Sequence, residues 1–278
     1  MFGFKAAVIG AGTTGADIAQ VVAAAGIPVV LEDPDPDALA RALVHVRELT
    51  EGGLAALVER GRLEAAAVEE RVEETLEHVT PVSGYDALGD VDLAIETVPD
   101  GLEHKLGVLA DLDAATPGQA ILAVTTSLLN VGQVSAATTR PDKVVGLHFA
   151  QPVPLMRLVE VVEGDETSED TMQAAVNFAA RIGKVPVRCL DAPGFVVSRI
   201  LAAGLSEAWL ARDLEPAEID AVLVESGVAP VGPYALAESL GADIVAAMAR
   251  HLRDELGERF IVPSALPRGA AREHSDDA

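Results

Sequence analysis

His148 and Glu160 have the side chains of an acid–base pair. His148 directly follows the apolar run Val144–Leu147, and Glu160 lies within a second apolar run, Leu158–Val162. Ligands of open α/β sheets bind beyond the carboxyl ends of strands, which is where His148 would stand. A carboxylate buried in an apolar strand is costly unless it is paired, and an imidazolium is its natural partner. We therefore expect Glu160 to fix the tautomer of His148 and raise its basicity, so that His148 can exchange a proton with a substrate.

A glycine-rich turn near the start of the chain predicts nucleotide binding. It follows the apolar run Ala6–Ile9 and opens a helix of small residues over about 16–25. The turn, called the glycine turn below, consists of Gly10, Ala11, Gly12, Thr13, Thr14 and Gly15. In such a motif Gly10 permits the tight turn, Gly12 lets the backbone approach a pyrophosphate, and Gly15 lets helix and strand pack closely. We expect the glycines and both threonines to contact the cofactor, whose phosphates would face the helix N-terminus.

Asp33 indicates which dinucleotide the glycine turn would bind. It closes the second predicted strand, which begins at Val29, about 20 residues beyond the turn. At that place a carboxylate accepts a hydrogen bond from the ribose 2′-hydroxyl of NAD. The same charge repels the 2′-phosphate of NADP, and no arginine follows Asp33 before Arg41. The sequence therefore predicts NAD, and a hydride transfer in which a base such as His148 takes the hydroxyl proton.

Charge and composition exclude several classes of function. The chain has 278 residues, a formal net charge of −24 and 50% hydrophobic residues. So large an excess of carboxylates opposes binding to nucleic-acid phosphates and to anionic membranes. No Cys/His cluster has the spacing of a zinc site, so we expect no metal. The composition is that of a globular protein, and a small molecule is the expected partner.

The few lysines and the single cysteine bear on the compartment. Only four of the 20 basic residues are lysine. Cys189 cannot form an internal disulfide, and the segment Met1–Lys5 lacks the features of a secretory signal. These observations predict a cytoplasmic protein. An acidic, lysine-poor surface is typical of a salt-rich cytosol, although base composition would explain it equally well.

Alternating strand and helix patterns predict how these residues are positioned. The alternation continues to about residue 188 and is typical of a doubly wound α/β sheet of the Rossmann type. A helical stretch over about 37–78, broken at Gly52-Gly53 and at Gly61, predicts a hairpin that projects from the sheet. From 189 onward the pattern is helical, so we predict two domains, 1–188 and a smaller all-helical 189–278. We expect Ser264–Ala278 to form a frayed tail.

Five motifs connect the chain with a known family. They are GAGTTGADIA (10–19), ILAVTTSL (121–128), GLHFAQPVPLMRLVEVV (146–162), DAPGFVVSR (191–199) and VGPY (231–234). In these motifs and their order the chain resembles the L-3-hydroxyacyl-CoA dehydrogenase family from about Lys5 to His251. The resemblance implies an NAD-binding Rossmann-type domain, a helical C-terminal domain that forms a homodimer, and oxidation of a 3-hydroxyacyl thioester.

By position, the resemblance gives catalytic roles to four residues. The family's catalytic histidine falls on His148, its partner acid on Glu160, and the serine that binds the substrate's C3 oxygen on Ser127. Ser198 stands where the family has an active-site asparagine, and its hydroxyl has a shorter reach than that amide. His148 would take the C3 hydroxyl proton while a hydride leaves C3 for the nicotinamide.

The resemblance also implies contacts with cofactor and substrate. Glu103, Lys105 and Thr125 lie at positions near the cofactor in the family, although Thr125 replaces an asparagine there. Gln151 replaces another asparagine on the substrate side. Arg60, one of two arginines at the tip of the predicted hairpin, would bind the phosphates of CoA.

These observations predict NAD-dependent oxidation of a short-chain (S)-3-hydroxyacyl-CoA, and two alternatives stay open. Dehydrogenases of free or carrier-bound β-hydroxy acids, such as gulonate and carnitine dehydrogenases, share the fold and the Ser/His/Glu set, and Ser206–Trp209 is similar to the gulonate type. A nucleotide-binding protein without turnover would also contain the glycine turn. The presence of Ser127, His148 and Glu160 speaks against that second alternative.

Overall fold

The chain folds into two units. The structure is a computed structural model that describes residues 4–211 and 213–262. The first unit ends at Asp191 and the second begins at Ala192, a few residues beyond the boundary that the sequence predicts. The predicted tail, Ser264–Ala278, lies outside the described residues.

One eight-stranded sheet forms the first unit. The strands are β1 (Ala6–Ile9), β2 (Val29–Glu32), β3 (Val79–Val82), β4 (Leu93–Glu96), β5 (Ile121–Val124), β6 (Val144–Phe149), β7 (Leu158–Glu163) and β8 (Val185–Leu190). Their order across the sheet is β3-β2-β1-β4-β5-β6-β7-β8. The pairs from β3 to β6 are all parallel, and the chain winds outward on both sides of β1. This is the predicted doubly wound Rossmann-type sheet.

β7 and β8 run opposite to the rest of the sheet, which the sequence analysis did not predict. β7 pairs antiparallel with β6 and parallel with β8. Only residues 150–157 connect β6 with β7, whereas a parallel crossover needs a connection of about a dozen residues or more. The chain therefore turns back along β6, and this reversal places the two strands that carry His148 and Glu160 side by side.

The central strands β1, β2 and β4 are short and buried. Their residues are apolar except for one acidic residue in β2 and one in β4. Every residue of β1, β2 and β4 is buried, as expected for parallel strands covered on both faces. The last residue of β2 is Glu32 and the last residue of β4 is Glu96, and both carboxylates are buried. Buried charges at strand ends indicate where the functional site lies, because each of them needs a partner.

Six helices belong to the first unit. They are α1 (Thr13–Ala24), α2 (Pro36–Glu59), α3 (Val68–Glu77), α4 (Leu102–Ala115), α5 (Val131–Ser135) and α6 (Glu169–Arg181). The predicted hairpin consists of α2 and α3, but the predicted break at Gly52-Gly53 is wrong because α2 runs straight through it. Each glycine costs a helix only about 1 kcal/mol, and the packing of α2 along α1 and α3 offsets that cost.

The predicted end of α2 at Gly61 is confirmed. Gly61 has φ +65°, its amide donates to the Val58 carbonyl, and the amide of Arg62 donates to the Leu57 carbonyl. These are the hydrogen bonds of a Schellman motif, which glycine closes without strain. No helix among residues 4–211 and 213–262 has both the length and the apolar character needed to cross a membrane.

Among the described residues of the second unit, all regular secondary structure is helical. Its helices are α7 (Val197–Leu210), α8 (Pro216–Glu225), α9 (Pro233–Leu240) and α10 (Ala242–Leu256). The Asp220 carboxylate accepts from the amides of Tyr234 and Ala235, both at 2.9 Å, and thereby caps α9. A Cβ on Gly232 would lie 2.2 Å from Asp220 Cγ. The glycine of the VGPY motif is therefore required by this cap.

Candidate active site

His148 and Glu160 form a hydrogen-bonded pair. They stand directly opposite each other in the register of β6 and β7, and His148 Nδ1 lies 2.6 Å from Glu160 Oε2. The Glu160 side chain is 1% exposed and that of His148 is 18% exposed, so the carboxylate is buried and the imidazole is partly accessible. Because a carboxylate only accepts hydrogen bonds, we assign the proton to Nδ1. The other ring nitrogen, Nε2, is then the one that can take a proton from a substrate.

The loop 150–157, which follows β6, is anchored by Lys184. Its Nζ donates to the carbonyl oxygen of Val153 and, at 2.9 Å, to that of Met156. Lys184 is buried, and burial lowers the pKa of its ammonium group. Both hydrogen bonds hold the backbone of the loop that follows His148. The loop between the strands of His148 and Glu160 is therefore fixed in place.

The glycine turn has the geometry of a dinucleotide-binding loop. Gly10 has φ +101°, and a Cβ on Gly15 would lie 1.9 Å from the Gly10 carbonyl oxygen. Neither position tolerates a side chain. Gly12, at the N-cap of α1, differs because nothing lies within 4 Å of the place of its Cβ. Open space beside a helix N-terminus fits the pyrophosphate of a dinucleotide.

Thr97 joins the glycine turn to the end of β4. Its Oγ1 lies 2.8 Å from the Ile9 carbonyl oxygen and 3.0 Å from that of Gly10. Its amide also donates to the Ile9 carbonyl at 2.8 Å. The sequence analysis missed Thr97, because a single threonine after an apolar strand belongs to no motif.

Two carboxylates close β2 beside the glycine turn. Asp33 Oδ2 accepts from the Ala11 amide at 2.8 Å, and its Oδ1 accepts from the Asp35 amide at 2.9 Å. Glu32 accepts from the Gly84 amide at 3.1 Å, and burial raises its pKa. The glycine turn thus orients Asp33 directly. Carboxylates at this place suit the ribose hydroxyls of NAD and repel a 2′-phosphate.

A cavity of about 880 Å³ adjoins the glycine turn and the ends of β2 and β4. Asp33 lines it, as the sequence predicts, together with residues to which the sequence analysis gave no role. Those with functional side chains are Arg41, His45, Tyr85, Thr97 and His104. Burial raises the pKa of Tyr85 to about 12, so the cavity presents a neutral phenol there. Tyr85 follows β3 and His104 follows β4. Ligands of open α/β sheets bind beyond the carboxyl ends of strands, so both residues could have been noted from the sequence.

Gln151 connects the loop 150–157 with the glycine turn. Its Nε2 donates to Thr14 Oγ1 at 3.5 Å. Since β1, β4, β5 and β6 are parallel, their carboxyl ends lie along one edge of the sheet. The glycine turn and the His148–Glu160 pair therefore belong to the same edge, where a hydride acceptor and a base can meet one substrate.

Thr125 and Ser127 lie between these two features, in the loop that follows β5. The Thr125 amide donates to the Glu96 carbonyl at 3.0 Å. Thr126 Oγ1 accepts from the amides of the two residues after Ser127, at 3.1 and 2.8 Å, which shapes a tight turn around Ser127. Ser127 is half-buried, and β5 is the direct neighbour of the strand that carries His148.

The structure places Lys105 and Glu103 differently from the cofactor contacts expected by resemblance. The Lys105 side chain is 0% exposed, and its Nζ donates to both carboxylate oxygens of Glu96 at 2.8 Å. It therefore points into the protein and not into the cavity, because the buried Glu96 carboxylate needs a cation. Glu103 is exposed on the first turn of α4, and among the described residues it is His104 that lines the cavity.

Two further predicted residues lie on other elements. Arg60 forms the C-cap of α2 and is exposed at the tip of the hairpin. Ser198 lies on the first turn of α7 in the second unit and is 5% exposed. Their roles toward substrate stay predictions.

Two family models match the chain. Residues 5–192 match "3-hydroxyacyl-CoA dehydrogenase, NAD binding domain", and residues 194–274 match "3-hydroxyacyl-CoA dehydrogenase, C-terminal domain". The two matches correspond to the two units of the fold, and the first includes the glycine turn, Asp33 and the His148–Glu160 pair.

Individual relatives agree with these matches. The chain is 39% identical over 243 residues to a 3-hydroxyadipyl-CoA dehydrogenase of Escherichia coli K12, a match that covers 86% of this chain and about half, 49%, of that relative. It is 37% identical over 257 residues to a 3-hydroxybutyryl-CoA dehydrogenase of Clostridioides difficile, covering 91% of this chain and 89% of the relative.

A solved structure has the same fold over nearly the same length. It is the (S)-3-hydroxybutyryl-CoA dehydrogenase from Ralstonia eutropha, with a TM-score of 0.81 and 32% identity, covering 90% of this chain and 87% of that chain. The glycine turn with Asp33 fits a dinucleotide, and the matched model over the same residues is an NAD-binding domain. From its site, its two matched models and its relatives, the chain belongs to the 3-hydroxyacyl-CoA dehydrogenase family of NAD-dependent oxidoreductases.

Proposed function

We propose that this chain oxidises a short-chain (S)-3-hydroxyacyl-CoA to the corresponding 3-oxoacyl-CoA. The observation that carries the proposal is the 2.6 Å contact between His148 Nδ1 and Glu160 Oε2, on the sheet edge that also bears the glycine turn. A short acyl chain is supported by the names of the relatives from C. difficile and R. eutropha, which are both 3-hydroxybutyryl-CoA dehydrogenases.

His148 moves the proton in this reaction. The C3 hydroxyl of the substrate gives its proton to Nε2 of His148, and bound NAD supplies the acceptor for the hydride from C3. Glu160 keeps its hydrogen bond to Nδ1 and stabilises the imidazolium that forms. In the reverse direction the same imidazolium donates the proton to the carbonyl oxygen.

Neighbouring side chains are proposed to position the reacting groups. The Ser127 hydroxyl binds the C3 oxygen and steadies the charge that develops on it. Thr125 contributes to the cofactor side, and Gln151 to the substrate side.

Arg60 is proposed to bind the phosphates of CoA. Arg60 and Arg62 are both exposed at the tip of the hairpin, and the planar guanidinium group matches phosphate oxygens. The net charge of −24 opposes a polyanionic substrate at long range, but salt screens that repulsion.

We further propose that two copies of the chain associate through the second unit. Large apolar side chains of this unit are exposed, among them Val228 at 74%, Ile200 at 68%, Ile244 at 60% and Val222 at 58%. So many exposed apolar side chains on a small helical unit favour burial against a second copy. Analytical ultracentrifugation of the purified chain tests this directly, because a monomer at micromolar concentration would contradict it.

The activity is tested by mixing the purified protein with acetoacetyl-CoA and NADH and following NADH absorbance. The assay is run at low and at multimolar salt, with acetoacetate and with NADPH as comparisons, and His148→Gln as the inactive control. We expect NADH consumption with acetoacetyl-CoA alone. No consumption under either condition would contradict the proposal, and faster turnover of acetoacetate would favour a free hydroxy acid as substrate.

A further inference from the structure

Lys105 lies beneath two loops of the cofactor site, those that follow β4 and β5. Its side chain is 0% exposed, although lysine is almost never fully buried unless it is paired. Its Nζ lies 2.8 Å from each carboxylate oxygen of Glu96, 2.9 Å from the Val98 carbonyl and 2.7 Å from the Thr125 carbonyl. Asp100 Oδ1 lies 3.6 Å from the same nitrogen. One ammonium group thus joins a carboxylate and two backbone carbonyls from different segments.

The hydrogen-bond geometry identifies the buried nitrogen as an ammonium group. A protonated lysine has three N–H donors and no acceptor, and its partners are three acceptor groups, namely the Glu96 carboxylate and two carbonyls. A neutral amine would direct its lone pair at an oxygen. The pair is also held from the other side, because the Val98 amide donates to Glu96 Oε1 at 2.6 Å.

The contacts of Lys105 lead to different parts of the site. Val98 belongs to the loop after β4 that lines the cavity, and Thr125 begins the loop after β5 that leads to Ser127. Thr97 lies between Glu96 and Val98, and its hydroxyl contacts the Gly10 carbonyl of the glycine turn. The ammonium group therefore holds the Glu96 carboxylate and the Val98 carbonyl, which belong to the two neighbours of the residue that contacts the glycine turn.

We infer that Lys105 is a positioning residue, which holds the glycine turn, the loop after β4 and the loop after β5 in one fixed arrangement. It acts through Glu96, Val98 and Thr125 and does not touch the cofactor. Without the cation, two carbonyls would lose this donor and the buried Glu96 carboxylate would lose its counter-charge, and the loops would separate or admit water. The effect on NADH affinity rests on the NAD-binding domain alone, whereas the effect on Ser127 rests also on the proposed function.

The experiment compares Lys105→Met with the matched variant Arg140→Met. Arg140 is also a cation with little exposure, 11% of its side chain, and its Nε lies 3.0 Å from Asp113 Oδ1. It bonds backbone carbonyls as well, but it precedes β6, at the opposite end of the sheet from the glycine turn. Both variants lose a partly or fully buried ion pair, so both are expected to unfold at lower temperature. Only Lys105→Met is expected to change the site.

For Lys105→Met we expect the Kd of NADH, measured by calorimetry, to rise by about tenfold, and for Arg140→Met to stay within about twofold of the wild type. Hydrogen exchange should quicken at residues 97–100 and 125–128 in Lys105→Met alone. The turnover number should fall together with NADH affinity, since Ser127 moves with the loop. An inactive wild-type protein that still binds NADH would count against the proposed function and leave the affinity comparison valid.

The inference is overturned if Lys105→Met binds NADH as tightly as Arg140→Met does. Should Lys105→Met fail to fold, Glu96→Gln carries the test, because glutamine keeps the volume and removes the charge that faces Lys105. A raised Kd of NADH in Glu96→Gln supports the inference, and a wild-type Kd overturns it. Thr97→Val then checks the last link to the glycine turn, since valine puts a methyl group in place of the hydroxyl that contacts Gly10, and a raised Kd of NADH is expected.

Discussion

The Glu160 carboxylate is nearly inaccessible to solvent and is hydrogen-bonded to Nδ1 of His148. Its role in the proposed reaction is to stabilise an imidazolium that exists only while the proton is on His148. Removal of the charge should therefore affect turnover and leave cofactor binding intact.

We expect Glu160→Gln to lower kcat by about 10²-fold or more, since general acid–base catalysis contributes typically that much. The Kd of NADH should stay at its wild-type value, because Glu160 is not part of the glycine turn or the cavity lining. Glu163→Gln is the matched control, since Glu163 ends the same strand and its carboxylate lies 3.6 Å from Arg188 in a half-exposed pair. Steady-state kinetics and calorimetry on both variants measure the difference, and a Glu160→Gln enzyme with wild-type kcat would refute the assigned role.

The two glycines at the start of α1 should respond differently to alanine. A Cβ on Gly12 meets nothing within 4 Å, whereas a Cβ on Gly15 would lie 1.9 Å from a backbone oxygen. We expect Gly12→Ala to fold with an unchanged melting temperature and to lose NADH affinity, because its methyl occupies the space for the pyrophosphate. Gly15→Ala should melt at a lower temperature, since the backbone must move. Calorimetry distinguishes the two, and full NADH affinity in Gly12→Ala would show that the dinucleotide lies elsewhere.

Among the site residues, those that carry a motif or an anomaly could be predicted from the sequence. The glycine turn and Asp33 form a motif, and Glu160 is an acid in an apolar strand. Thr97 and the cation partner of Glu96 could not be predicted, because their contacts join segments that only the folded sheet brings together. For Lys105 the resemblance indicated a position near the cofactor site. The buried Glu96 carboxylate determines the direction of its ammonium group.

At the level of elements, the sequence predicts strands and helices well where local pattern and tertiary packing agree. The unbroken α2 is a case in which they differ, because two glycines weaken a helix locally while its neighbours hold it. The reversal of β7 could have been predicted as well, since residues 150–157 are too few for a parallel crossover. The apolar patterns of the two strands do not reveal their relative direction, which the length of the connection determines.

The glycines within α2 offer a test of this explanation. A Cβ at Gly53 meets nothing within 4 Å, and the position is helical and exposed. We expect Gly53→Ala to raise the free energy of unfolding by about 0.5–1 kcal/mol, since alanine loses less backbone freedom in a helix. Gly61→Ala should have the opposite effect because of its φ of +65°. Urea unfolding measures both, and a destabilised Gly53→Ala would mean that the two glycines serve a bend in α2.

At the scale of the whole molecule, the acidic character of the chain should make its stability depend on pH. Burial raises the pKa of Glu32 and Asp191, and it raises the pKa of Glu96 to about 7, against the opposing effect of Lys105. Between about pH 4.5 and 7 the folded chain therefore binds more protons than the unfolded chain, whose carboxyls titrate near their ordinary values. The free energy of unfolding then falls as pH rises through this range.

We accordingly expect a higher melting temperature at pH 6 than at pH 8, at constant ionic strength. The difference between these two pH values comes from Glu96, because carboxyls with ordinary pKa values are ionised at both. Differential scanning calorimetry checks the sign, and Glu96→Gln should show a smaller difference between the two pH values. A melting temperature that is equal at both values, or higher at pH 8, would contradict the explanation.

The scarcity of lysine has a practical consequence. Lys5 and Lys143 have side chains that are 27% and 29% exposed, whereas Lys105 and Lys184 are buried beneath the loops that they hold. An amine-reactive reagent would accordingly tag the first pair in native protein and reach the second pair only when the Rossmann-type unit opens. The mass added per molecule would therefore report the opening of the cofactor site, without any spectroscopic probe.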